Sequence, residues 1–275
     1  MMHSIKKVSI IAATVTTALL HTFSASASAF TINQSTSNLL SELLGTTTGL
    51  SNFNVTTSGD SLAFGTFSND PFGLGSGIVL STGKVTDLSG ENNGNASTDL
   101  AGVDSITLDI SFDADDTVEK LFFSYVFGSE EFLEYAGSQF NDAFELLLNG
   151  VNLAFLTNGD AVTINNLVAS PSGPFSPDYI NNPAGPGTKT QLDGFTKVLG
   201  FEGILNKNAT NLLSINIKDV GDSAFDSAVF IQGKSLSTVK PPTPTTDVPE
   251  PGIVLGLLAV GVTAGISRKQ SQQTA

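Results

Sequence analysis

The chain has 275 residues, with 12 Lys and Arg against 26 Asp and Glu, no Cys, no Trp and two His. Both histidines (His3, His21) and the only arginine (Arg268) lie in the end segments, so the stretch from Phe30 to Asp247 carries no Cys-His or Ser-His-Asp catalysis, no imidazole- or thiolate-held metal and no disulfide. Its eight lysines against 25 acids, a balance of −17, repel nucleic acid and anionic lipid and favour divalent cations.

The first segment reads Lys6-Lys7, an apolar run from Val8 to Leu20, then small residues from Ser24 to Ala29. A charged start, a short apolar stretch and an A-x-A site at Ala27 and Ala29 predict a signal peptide over 1–29, cleaved after Ala29. An exported chain without cysteine holds its fold by its core or by a metal.

Residues 30–238 show no fixed-period repeat and no internal linker, and read as one domain. Leu39, Leu40, Leu43 and Leu44 behind Ser35-Thr36-Ser37, stopped by Gly45, predict one short helix. After it the pattern is strand-like. Ile106, Leu108, Ile110 and Phe112 alternate with polar residues, as do Leu213, Ile215 and Ile217, which is the period of a strand with one face on a core. The continuous apolar runs Leu121 to Phe127, Phe144 to Leu148 and Ala228 to Ile231 predict central strands buried on both faces. Asn149-Gly150 predicts a type I′ hairpin turn, and the Pro- and Gly-rich stretch from Ser170 to Thr190 a long surface loop. The fold expected is all-β, an antiparallel, jelly-roll-like β-sandwich with one short N-terminal helix.

Carboxylates gather beside turn residues at three strand edges: Phe127 to Glu134, Phe140 to Phe144 and Asp219 to Ser227. Calcium takes six to eight oxygens from such loops, which makes Glu130, Glu131, Asp142, Asp222 and Asp226 the candidate metal ligands. Asx-turns that cap strand ends account for the same pattern. A carboxylate pair acting as glycosidase acid and base is a third reading, since that chemistry needs no His. Asp113-Ala114-Asp115-Asp116 lacks EF-hand spacing and reads as a solvated turn.

Residues 239–247 form a Pro- and Thr-rich linker, followed by Val248-Pro249-Glu250-Pro251, fifteen uncharged residues from Gly252 to Ile266, and Arg268-Lys269. That apolar run is shorter than the ~20 residues of a comfortable membrane span. The segment 248–275 resembles the PEP-CTERM sorting signal of Gram-negative bacteria. The resemblance implies transient retention at the inner membrane by the C-terminal helix, processing by an exosortase near Pro249-Glu250-Pro251, and delivery to the cell surface or exopolysaccharide matrix.

A second resemblance rests on Gly75 to Gly83, the Phe-Gly-Ser-Glu-Glu-Phe run at 127–132, Phe140-Asn141-Asp142-Ala143-Phe144, Asp193-Gly194-Phe195-Thr196 and Asp219 to Phe230. In that order these segments resemble the choice-of-anchor L domain, an extracellular domain paired with interchangeable C-terminal anchors. The function expected is a non-enzymatic binding or structural domain that engages exopolysaccharide, another surface protein or calcium. The alternative is an extracellular carboxylate-dependent glycan hydrolase.

Overall fold

The computed structural model describes residues 29–94, 97, 98, 100 and 105–240. The bulk of the signal peptide with Ala27, and the sorting signal with Val248, Pro249, Glu250, Pro251, Arg268 and Lys269, lie outside the described residues. In chain order the elements are β1 (Thr31–Gln34), α1 (Leu39–Leu43), β2 (Leu50–Ser58), β3 (Phe64–Ser68), β4 (Ser76–Ser81), β5 (Ser105–Ala114), β6 (Lys120–Ser129), β7 (Ala143–Leu148), β8 (Val151–Asn152), β9 (Val162–Thr163), α2 (Ile164–Leu167), β10 (Tyr179–Asn181), β11 (Gly194–Thr196), β12 (Leu199–Ile204), β13 (Ala209–Lys218) and β14 (Ser227–Gln232). Paired strands are antiparallel and form two sheets. One runs β1-β3-β4-β14-β6-β11-β10 with β12 also on β6, and the other runs β2-β5-β13-β7-β8 with β9 also on β7. This is the two-sheet antiparallel sandwich expected from the pattern, with α1 at the predicted leucines.

The smaller sheet follows its alternation closely. Ile106, Leu108, Ile110 and Phe112 of β5 are fully buried, and β13 pairs with β5 from Ala209↔Ala114 to Lys218↔Ser105 so that Leu213, Ile215 and Ile217 face the same core. The β7–β8 hairpin turns on Asn149 (φ 52°) and Gly150 (φ 83°), the two left-handed residues of a type I′ turn. Its Asn149 side chain also accepts from the Leu212 N–H at 2.9 Å, which ties the turn to β13.

The larger sheet is different because both of its faces are covered. Leu80, Phe123, Tyr125, Phe127, Val229 and Ile231 face the core between the sheets. Val79, Val126 and Phe230 face a second apolar cluster with Phe30, Phe67, Leu88, Leu192 and Phe195. Two-sided burial is why β6 and β14 read as unbroken apolar runs. The third such run, Phe144 to Leu148, corrects the expectation: in β7 Phe144, Leu146 and Leu148 are buried while Glu145 and Leu147 are only half-buried, because among the described residues no second layer covers the outside of the smaller sheet there. The expected loop over 170–190 is also not loop throughout. Tyr179 to Asn181 pair with β11 as an edge strand, since Asn182 and Asn92 satisfy the neighbouring backbone carbonyls. A second helical turn, α2, is capped by Thr163, whose Oγ1 accepts from the Asn166 N–H at 3.2 Å.

Replacing the inward Ile110 by Ala is expected to cost ~2–5 kcal/mol, whereas Ser111→Ala, on the outer face of the same strand, should stay within ~0.5 kcal/mol. Urea unfolding of the two variants checks this, and equal losses would contradict the assigned faces.

Candidate functional site: an acidic junction at one end of the sandwich

Antiparallel pairing brings four strand ends to one place. Ser129, the last residue of β6, lies opposite Ser227, the first of β14, and Lys218 at the end of β13 lies opposite Ala143 at the start of β7. The carboxylates just beyond these ends are therefore neighbours although they are as much as 96 positions apart, from Glu130 to Asp226.

Asp142 joins the sheets. Its side chain is fully buried; Oδ1 accepts from the Val220 N–H at 2.9 Å, and Oδ2 accepts from Ser227 Oγ at 2.7 Å, on the opposite sheet. Ser227 Oγ lies 2.8 Å from Ser129 Oγ, which accepts from the Glu131 N–H at 3.0 Å. Each hydroxyl carries one proton, so the chain runs from the Glu131 amide through Ser129 and Ser227 to the Asp142 carboxylate. Asp226 is held nearby: its carbonyl accepts from the Glu130 N–H at 3.1 Å and its Oδ1 from the Thr98 N–H at 3.1 Å. Its carboxylate lies directly on Gly83, where a Cβ would overlap it.

Burial governs the chemistry of these groups. Desolvation pushes Asp142 up to about 6, against the opposing hydrogen bonds from Ser227 and Val220. It pushes Asp226 up to about 7 and Glu131 up to about 8, with the charges of Asp142, Asp222, Asp219 and Glu130 adding to the rise at Glu131. Glu131 Oε2 and Asp226 Oδ2 are buried and have no hydrogen-bond partner among the described residues.

Of the five predicted metal ligands, Glu130, Glu131, Asp142 and Asp226 are buried at this junction. Asp222 is apart from them in exposure: it sits on the surface of the 219–226 loop and accepts from the Ala224 N–H at 3.1 Å, the Asx-turn alternative. Among the described residues no three His, Cys, Asp or Glu side chains stand close enough to form a ready metal shell. Ser129, Ser227, Thr98 and Gly83 were not among the predicted site residues. Ser129, Ser227 and Gly83 do fall inside the motifs that carry the family resemblance, and Ser81 and Thr82, in the same motif as Gly83, bond to Ser227.

Beside the junction opens a half-enclosed cavity of about 330 Å³, lined among others by Glu130, Glu134 and Asp193 and by Phe132, Tyr135 and Phe225. Asp193 accepts from Asn92 Nδ2 at 2.6 Å, and burial, with the charge of Glu134, raises it above the usual carboxylate range despite that bond.

The profile of the choice-of-anchor L domain matches residues 27–237, a span that contains every residue of the junction and of the cavity. The chain belongs to this family. No curated protein and no solved structure gives a match. Membership places this choice-of-anchor L protein among surface-anchored proteins at or outside the cell surface, in a family that is in general non-catalytic. No helix among the described residues is long and apolar enough to cross a membrane.

Because Asp142, Asp226 and Glu131 titrate higher in the folded domain than in an unfolded chain, their neutral forms favour folding. That contribution is full below about pH 4 and declines as pH rises through the folded values near 6, 7 and 8. The choice-of-anchor L domain should therefore melt higher at pH 5 than at pH 8.5 without added metal. Glu131→Gln should raise the melting temperature at pH 8.5 and change it little at pH 5; a parallel shift at both values would contradict the burial of an ionising carboxyl.

Proposed function

We propose that this protein is exported, cleaved after Ala29, held transiently at the inner membrane by the run from Gly252 to Ile266, and processed by an exosortase near Pro249-Glu250-Pro251. It then serves at the cell surface or in the exopolysaccharide matrix as a non-enzymatic binding and structural domain. The observation that carries the reading is how the buried acids are used: Asp142, next to the first residue of β7, bonds to Ser227 of the other sheet and to the Val220 amide in the loop after β13, and so links the two sheets. Phe30, the first residue after the expected cleavage, supports the proposed start of the mature chain. It is 8% exposed and packs 5.8 Å from the ring of Phe72 and 6.0 Å from that of Phe230.

Deleting Pro249 to Pro251, or replacing Arg268-Lys269, should leave the protein in the inner-membrane fraction while the melting of the domain is unchanged. Fractionation and a thermal melt of the same preparations test this. Unaltered delivery to the surface would overturn exosortase processing.

Calcium stabilisation belongs to the same reading, and the observation favouring it is the buried, unpartnered Glu131 Oε2 among Asp142, Asp222, Asp219 and Glu130. Binding would require these carboxylates to draw together, with Asp222 moving inward from its exposed loop. Calcium at a hundredfold excess over its Kd adds about 2.7 kcal/mol to stability. The expected result is a rise in melting temperature with calcium that exceeds the rise with magnesium and is lost in Asp142→Asn and Asp222→Asn. Equal responses to the two ions in parent and variants would assign the acids to turn capping alone.

A further inference from the structure

Residues 235–238, which follow β14, sit in a slot between two segments far from them in sequence. Ser237 exchanges backbone hydrogen bonds with Phe122 of β6 at 3.2 and 2.9 Å. On the other side Leu236 donates to the Leu43 carbonyl at 3.0 Å and accepts from the Gly45 N–H at 2.9 Å, and the Thr238 N–H donates to the Thr46 carbonyl at 2.8 Å. The Leu236 side chain is fully buried in the core between the sheets. Backbone pairs and an apolar socket recognise such a strip by its sequence and extended shape, whichever copy of the chain supplies it.

The connection to β14 is longer than the gap it crosses. β14 leaves its ladder on β6 at Ile231↔Tyr125, and the chain returns to β6 at Ser237↔Phe122, so it advances six residues while β6 advances three. The surplus is folded into a turn at Gly233 and Lys234, and Lys234 takes φ 59°, a left-handed conformation that is costly for a side chain of its kind. Six residues drawn out straight reach about 20 Å, far enough to carry the strip into the slot of an adjacent domain. No later element among the described residues has to move with it.

We propose that two copies of this chain associate by exchanging this strip, residues 235–238 of each filling the slot between Phe122 and residues 43–46 of the other. The second copy thereby supplies Leu236 to a core that is incomplete without it. The pairs that Leu236, Ser237 and Thr238 make with the slot are the same in the single and the exchanged form, so the balance between the two rests on the connection. Exchange releases Lys234 from its left-handed turn and gives up the bond from its N–H to the Glu42 carbonyl at 2.8 Å. It requires neither exosortase processing nor calcium.

Cysteine crosslinking of the mature chain from Phe30 onward tests the exchange in a protein that has no cysteine of its own. Thr46 is exposed and Thr238 half-buried, and their backbone contact puts cysteines at the two positions within reach of a disulfide. Tagged Thr46→Cys is concentrated with untagged Thr238→Cys and oxidised. Detergent covers the apolar run 252–266, and ~0.5 M salt screens the negative charge the copies share. A disulfide between tagged and untagged chains is expected, at several times the yield given by Thr238→Cys with Ser58→Cys, an exposed position at the far end of β2. Lys234→Gly, which takes the left-handed turn without strain, should lower the yield about tenfold, and Lys234→Val, whose branched side chain resists that turn, should raise it. In dilute solution the double variant Thr46→Cys/Thr238→Cys should close the same bond within one chain; failure there would overturn the slot itself. A mixed-chain yield no higher than the Ser58→Cys control, or one that both Lys234 variants leave unchanged, would overturn the exchange, and dimers seen by light scattering without the crosslink would assign association to another surface.

Discussion

A buried aspartate shared between two sheets constrains much of this molecule. Sandwich sheets normally meet through apolar side chains alone, and a carboxylate taken out of water between them is costly unless donors surround it. Asp142 meets that cost with the Val220 amide, just past the end of β13, and the Ser227 hydroxyl on the other sheet. The arrangement works only if β14 begins where β6 ends and if β13 ends where β7 begins, so one side chain depends on two registers at once. Gly83 has no side chain for a related reason, since the Asp226 carboxylate occupies the place where a Cβ would stand.

The second constraint is the absence of disulfides in a domain of this size. Here the larger sheet is buried on both sides, and the outer cluster is stitched by rings: Phe72 lies 4.5 Å from Phe230 and 4.9 Å from Phe195, and Phe67 lies 5.4 Å from Phe230. Such pairs add about 0.5–1.5 kcal/mol each beyond the area they bury. The use of eighteen phenylalanines after Ala29 thus has a structural explanation in which apolar contact takes the part that covalent crosslinks play in many exported domains.

Much of this was legible in the residues. Strict alternation in Ser105 to Ala114 and the Asn149-Gly150 turn each name a single conformation, because a one-residue slip would expose a whole hydrophobic face and because two consecutive left-handed residues favour Asn and Gly. Phe144 to Leu148 misled because an apolar run does not tell whether a second layer covers the strand; that depends on segments far away in sequence. The edge strand Tyr179–Asn181 was hidden by prolines on either side, its partner β11 lying beyond the loop. Four of the five proposed acids do gather, but the hydroxyls that hold them, Ser129 and Ser227, were indistinguishable from ordinary turn residues until the β6–β14 pairing set them face to face.

The segment that leaves the sandwich has its own consequence. Ser237 exchanges both backbone hydrogen bonds with Phe122 of β6, Leu236 accepts from Gly45 and donates to Leu43, and Thr238 donates to Thr46. A tether attached beyond Lys240 therefore pulls first on a short strip clamped between a central strand and the turn after α1, ahead of any ladder of the sandwich itself. Tension from the surface would be spent on peeling that strip, which leaves the acidic end of the domain mechanically screened while the chain is under drag.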